Sequence, residues 1–156
     1  MALWNRATIS PLIFAGPGIP ESQRVDAPVE LFSIYPTLTD LVKLPKPQNM
    51  EAKSIYPLLK DPNCKWETPG ITTWARNNHA VVSQEYRYIR YEDGSEELYD
   101  LKEDPNEWYN VAGEGKYSSI KSELAQYLPR INVKWAKASR YDNNDYFRKQ
   151  KAEQSE

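Results

Sequence analysis

YRYIRYEDGSEELYD, residues 86–100, decides the fold. Asp93-Gly94 is a strong two-residue hairpin turn, because glycine takes the positive φ such a turn demands, and the runs on either side are strand-like. Counting outward pairs Tyr91 with Glu96, Arg90 with Glu97, Ile89 with Leu98, Tyr88 with Tyr99 and Arg87 with Asp100. Opposite charges meet in some of these pairs and apolar groups in others, as an antiparallel ladder should show.

Upstream of the hairpin, residues 70–75 and 80–83 read as two further strands, giving a four-stranded antiparallel sheet. Downstream, Tyr117, Ile120, Leu124, Tyr127 and Leu128 recur at helical spacing until Pro129, so one helix is expected to cover one face of the sheet. Asp104-Pro105-Asn106-Glu107-Trp108 reads as a turn entering a loop, with Trp108 as its anchor.

The first half reads differently. Pro11-Leu12-Ile13-Phe14-Ala15, bounded by Gly16-Pro17-Gly18, suits a fully buried strand of an α/β sheet. Only a weak strand candidate near Val25 follows it, so its sheet neighbours are expected upstream. Ser33 reads as an N-cap with Pro36 in the first turn, and Ile34, Leu38, Leu41 and Val42 continue one apolar face until Pro45 and Pro47. A short helix is expected over 54–60, closed by Asp61-Pro62-Asn63. The expected fold class is α/β: 1–65 form the end of an α/β domain, 66–137 an antiparallel sheet with one helix, and 138–156 a polar tail.

Length and composition set the outer bounds. The 156 residues are one ordinary domain or the C-terminal piece of a larger protein, and 40% apolar with 12% aromatic content is that of a globular chain. A formal charge of −2 provides no basic field for nucleic acid or an anionic membrane, and no apolar run reaches the length of a membrane span. The N-terminus as written has no secretion-signal pattern. The single cysteine, Cys64, excludes an internal disulfide and a cysteine-based metal site, and reads as a loop thiol.

His79 is the only histidine, so no histidine-pair metal site exists in this chain. It ends the run Arg76-Asn77-Asn78-His79 at a strand connection, where loops present polar groups to ligands. Arg76 can fork onto a carboxylate or sulfate, while Asn78 and His79 can bind sugar hydroxyls. A hydrogen-bonded histidine at a strand end is the competing reading, and the residues leave both open. If the first holds, His79→Ala should weaken substrate use with stability near normal. Asp142-Asn143-Asn144-Asp145 resembles half a calcium loop but lacks its glycine and terminal glutamate, so it reads as a solvated run. Gly16-Pro17-Gly18 has neither the spacing nor the lysine of a phosphate cradle. By residues alone there is no catalytic set.

Four segments in order resemble the C-terminal portion of a type I sulfatase of the alkaline phosphatase superfamily. These are LWNRATISPLIFAGPGIP (3–20), VELFSIYPTLTDLVKLP (29–45), KSIYPLLKDP (53–62) and YRYIRYEDGSEELYDLKEDPNEWYNVAG (86–113). The Asn-Asn-His and Asp-Pro-Asn-Glu-Trp segments look most like the iduronate sulfatase-like branch. Asn5 stands where the family often has Glu, and Ile9-Ser10 replaces a common Arg-Val.

The resemblance implies hydrolysis of sulfate esters, of a sulfated carbohydrate in this branch, by an enzyme exported to the periplasm or secreted. Its formylglycine nucleophile and calcium ligands match nothing in this chain, so the segment is expected to bind neither, to be inactive alone, and to have a missing N-terminal catalytic region as its partner. The orphaned strand at Leu12–Phe14 would then favour self-association. Two other classes stay open: a non-catalytic module binding sulfated glycans or another partner, and a phosphodiesterase or phosphonate hydrolase of the same superfamily.

Overall fold

The computed structural model describes residues 3–45 and 47–134. Its elements are α1 (Asn5–Thr8), α2 (Ile34–Leu41), α3 (Tyr56–Lys60), β1 (Gly70–Thr73), β2 (His79–Val82), β3 (Tyr86–Arg90), β4 (Glu96–Asp100) and α4 (Ser118–Ala125), with a 3-10 turn leading into α2 and another into α4. The four strands form one sheet in the order β1-β2-β3-β4, antiparallel throughout. This is the α/β fragment with a four-stranded antiparallel sheet and covering helix that the hairpin pointed to. The expected 138–156 tail and the Asp142–Asp145 run lie outside the described residues.

The hairpin register is one residue away from the count made on a two-residue turn. Tyr88 faces Leu98, Ile89 faces Glu97, Arg90 faces Glu96 and Arg87 faces Tyr99. The cause is a three-residue loop, Glu92-Asp93-Gly94. Tyr91 N donates to Ser95 O at 3.0 Å, Gly94 N donates to Tyr91 O at 3.0 Å, and Gly94 takes φ +85°. A type I turn closed by a left-handed glycine matches strand twist as well as the tighter turn does. Asp93 Oδ1 accepts from both the amide and the hydroxyl of Ser95, which holds the loop in this form.

The pairing puts Val81, Tyr88 and Leu98 on one face, where Leu124 of α4 and Leu128 complete a buried cluster. Burying these side chains contributes about 1.5–3 kcal/mol each, an upper estimate because unfolded chains are already partly compact. Glu96 ties helix to sheet: Lys121 Nζ donates to its Oε2 at 2.8 Å, and the Tyr88 hydroxyl donates to its Oε1.

The opposite face is covered by the start of the chain. Leu3 is buried with Ala80, Ile89 and Tyr99, and Trp4 Nε1 donates to Glu97 Oε2 at 2.8 Å. Beneath this segment lies an ion pair, Arg87 Nε to Glu107 Oε1 at 2.5 Å, with side chains only 3% and 2% exposed. The Nε–H is not aligned with that oxygen, so this contact is charge on charge rather than a hydrogen bond. The directional bonds go elsewhere: Arg87 donates to Leu3 O at 2.9 Å and Asn5 Oδ1 at 2.8 Å, and Asn5 N donates to Glu107 Oε2 at 2.7 Å. Arg87 therefore serves Glu107 and the N-terminal segment, not Asp100 across the ladder.

Glu107 reaches that position through two aspartate-capped turns. Asp100 Oδ1 accepts from the amides of Lys102 and Glu103, and Asp104 Oδ2 accepts from Tyr109 N at 2.8 Å. Glu107 itself takes φ +58°. It, and not Trp108, anchors the loop, since Trp108 is 74% exposed. Asn110 then seals the outer edge of β4: its Oδ1 accepts from Leu98 N, and its Nδ2 donates to Glu96 O.

In the first half, Thr37 joins α2 to α3: its hydroxyl donates to Ser33 O at 2.6 Å and accepts from Ile55 N at 3.0 Å. Ser33 makes no side-chain cap, contrary to the N-cap reading, because it ends the 3-10 turn with helical backbone angles (φ −70°, ψ −11°), and a capping side chain needs an extended residue. Leu12–Phe14 forms no strand, and Ile13 is 84% exposed. Nothing in the described residues pairs with it, and a lone extended segment makes no ladder. Val25 likewise lies outside any strand.

Candidate functional site

The meander places the β1–β2 loop and the β3–β4 turn at the same end of the sheet, and the polar run 76–79 sits there. Trp74 N donates to Asn78 O at 3.0 Å, closing a loop in which Ala75 and Asn77 take φ of +56° and +60°. Alanine is an unfavourable residue at such a φ, so surrounding contacts must hold it. Asn78 supplies them: its Nδ2 donates to Arg76 O at 2.8 Å, and its Oδ1 accepts from Glu92 N at 3.1 Å. One buried amide thereby locks the two loops together.

Arg76 is the member of the run that faces outward, its side chain 36% exposed. Its Nη1 lies 3.8 Å from Glu92 Oε1, a loose ion pair, and its Nε is buried without a hydrogen bond among the described residues. Asn77 Nδ2 also points at Glu92 Oε1, at 3.5 Å. A part-exposed guanidinium this loosely paired can turn its outer nitrogens to a carboxylate or sulfate, while the buried Nε stays out of reach of a ligand.

His79 faces the other way. It is 2% exposed, and both ring nitrogens are occupied: Nδ1 lies 2.9 Å from Thr73 Oγ1 and Nε2 2.9 Å from Asn132 Oδ1. Asn132 Nδ2 donates to Pro129 O at 3.3 Å, which turns its carbonyl oxygen toward the ring. Nε2 therefore carries the proton, and Nδ1 accepts from the threonine hydroxyl. Burial holds the imidazole below its usual pKa, and the nearby Arg90 charge adds to this, while the Asn132 bond acts in the opposite sense. A truncation here would empty a buried position and take a partner from the half-buried Asn132 and the exposed Thr73, so near-normal stability for His79→Ala is not what this geometry supports.

Sequence reasoning missed Glu92, Thr73 and Asn132. Glu92 was within reach, because a four-strand meander necessarily puts alternate turns at one end. Asn132 had no local signal, since a contact 53 residues away in sequence depends on where α4 ends. Among the described residues no group of three or more His, Cys, Asp and Glu side chains could hold a metal ion. Cys64 stands alone, half-buried, with no Pro-x-Arg pattern after it. Among the described residues no side-chain set therefore fits calcium, and Cys64 lacks the pattern of a formylglycine nucleophile.

The family model for N-sulphoglucosamine sulphohydrolase, C-terminal, matches residues 2–134. The chain belongs to this sulfatase C-terminal family. Within the family's wider circle, it is 47% identical over 150 residues to a sulfatase of Formosa agariphila, covering 96% of the chain and 30% of that protein. It is 31% identical to a Δ4,5-hexuronate-2-O-sulfatase of Bacteroides thetaiotaomicron, covering 83% of the chain and 30% of that protein. A solved 2-O GAG sulfatase superposes with a TM-score of 0.64 at 30% identity, over 89% of the chain and 29% of that structure. The sulfatase C-terminal chain thus spans less than a third of the length of these relatives.

Proposed function

We propose that this chain is the C-terminal part of an enzyme that hydrolyses sulfate esters of a sulfated carbohydrate, and that its β1–β2 loop forms one wall of the substrate cleft. The observation that carries the proposal is Arg76, part-exposed on a strained loop and paired only loosely with Glu92. Such a group recognises a sugar carboxylate or sulfate. Two relatives bear the names of a hexuronate-2-O-sulfatase and a 2-O GAG sulfatase, which supports a uronate of the iduronate type, whose carboxylate Arg76 would grip. Asn78 and His79 complete the wall, the first by locking the loop and the second by fastening its base.

On this reading residues 1–65 are the end of an α/β domain and 66–137 the smaller C-terminal subdomain. The groups that attack sulfur and bind calcium belong to a region outside this chain, which alone hydrolyses nothing. The test joins the chain to the unmatched remainder of the Formosa sulfatase and measures sulfate release from an unsaturated 2-O-sulfated hexuronate disaccharide. Arg76→Ala should lower kcat/KM roughly 10- to 100-fold, the scale of one charge-assisted hydrogen bond. Arg76→Lys should restore only part, because a lysine cannot fork. An unchanged kcat/KM for Arg76→Ala would remove the loop from the substrate site.

A further inference from the structure

Glu92 opens the three-residue loop between β3 and β4, and two features fix where its carboxylate sits. Its amide donates to Oδ1 of the buried Asn78 at 3.1 Å, and Gly94 at φ +85° sets the form of the loop. Oε1 of Glu92 meets two donors from the β1–β2 loop, Arg76 Nη1 at 3.8 Å and Asn77 Nδ2 at 3.5 Å, both long contacts. Oε2 accepts no hydrogen bond among the described residues. The Arg76 and Glu92 side chains are 36% and 37% exposed, so a cation and an anion share one patch of surface with part of each open. A pair this long and this open holds little of the fold together, which leaves its charges available to a ligand.

We infer that Glu92 is a specificity-determining residue: it requires a free hydroxyl next to the anionic group that Arg76 grips, and it rejects a sugar sulfated at that hydroxyl. The inference rests on the reading of the β1–β2 loop as a wall of the substrate cleft. A guanidinium only donates and an ionised carboxylate only accepts, so the pair asks a ligand for an acceptor and a donor side by side. A uronate offers both, its carboxylate to Arg76 and a ring hydroxyl to Glu92 Oε2. A sulfate in place of that hydroxyl has no proton to give and sets like charge against Glu92, so the wall selects by repulsion as well as by attraction. Arg76 alone would do the opposite, since a bare cation favours the more highly sulfated sugar. In an unsaturated hexuronate the 4,5 double bond removes the 4-hydroxyl, so the 3-hydroxyl lies nearest the carboxylate.

The chain joined to the Formosa remainder is given two substrates: the unsaturated 2-O-sulfated hexuronate disaccharide, and the same disaccharide sulfated also at the 3-hydroxyl of the hexuronate. Release of the 2-O-sulfate is measured from each. Wild type should prefer the first by about 10-fold or more in kcat/KM, a small share of what a fully buried hydrogen-bonding site achieves. Glu92→Gln should bring the ratio to about three-fold or less, because an amide can donate to a sulfate and carries no charge. The variant keeps the backbone bond to Asn78, so its Tm should match wild type. A ratio that does not move overturns the inference, and so does a wild type that prefers neither substrate. Arg76→Ala separates the two readings. Loss on both substrates with an unmoved Glu92→Gln ratio keeps the cleft wall and removes Glu92 from specificity, whereas a moved ratio with Arg76→Ala unaffected keeps the hydroxyl contact and removes the carboxylate grip. Should the joined protein release no sulfate, both disaccharides are titrated into the chain alone and the Asn77 and Glu92 amide signals followed by NMR. Larger shifts with the first sugar that become equal to the second in Glu92→Gln support the role; equal or reversed shifts in wild type, none with either sugar, or a difference that survives Glu92→Gln overturn it.

Discussion

At the scale of single residues, Arg87 and Glu107 do more than any other pair to hold the chain's beginning on the sheet. Both are buried, and the carboxylate and guanidinium together bind Leu3 and Asn5. Glu107→Gln keeps the shape and removes one charge, leaving Arg87 uncompensated in the interior. A loss of about 3–5 kcal/mol is expected in urea unfolding, a large share of a typical domain's stability. Arg87→Met with Glu107→Leu should cost less than the single change, because no charge is left behind. A loss under about 1 kcal/mol for Glu107→Gln would show that water reaches the pair.

His79 makes a second residue-scale prediction. Its folded pKa lies below the unfolded value of about 6.5, so between the two values the unfolded chain binds more protons. The contribution is fully present above pH 6.5 and is lost as pH falls from there through the folded pKa. Urea midpoints should drop between pH 7.5 and 5.5, and His79→Gln should flatten that slope. Glu96, held below the usual carboxylate range chiefly by its hydrogen bond from Lys121 and also by that from Tyr88, acts in a more acidic window below about 4.5. An identical slope in wild type and His79→Gln would assign the pH dependence to other groups.

At the scale of elements, the hairpin and α2 teach opposite lessons. The strands at 86–90 and 96–100 follow from their residues, but a single loop residue moved the register. Gly94 is the hinge of that difference: at φ +85° a side chain is strained, although a Cβ there would meet nothing within 4 Å. Gly94→Ala should therefore cost about 1–2 kcal/mol from backbone strain alone, read as a fall of several degrees in Tm. Gly94→Asn should recover much of it, because asparagine tolerates the left-handed region. No difference between Gly94→Ala and wild type would mean the loop relaxes into another turn. In α2 the helical periodicity is real, yet periodicity locates a face without saying what covers it.

At the scale of the whole molecule, the two halves differ in how they are finished. The sheet is covered on one side by α4 and on the other by Leu3 and Trp4, with Glu30 accepting from Ile71 N beside β1 and Asn110 sealing β4. The first half leaves Ile9, Ile13 and the apolar face of α2 open. No helix among the described residues is long and apolar enough to cross a membrane. The sheet, its covering helix and the polar loop 76–79 were legible because each rests on contacts between near neighbours: turn chemistry, alternation and helical spacing act within a few residues. The partners of Arg87 and His79 and the outward face of α2 were not. Each depends on contacts, or missing contacts, between segments distant in sequence, and only chain closure in three dimensions decides whether a charge finds its counter-ion or a greasy face finds its cover.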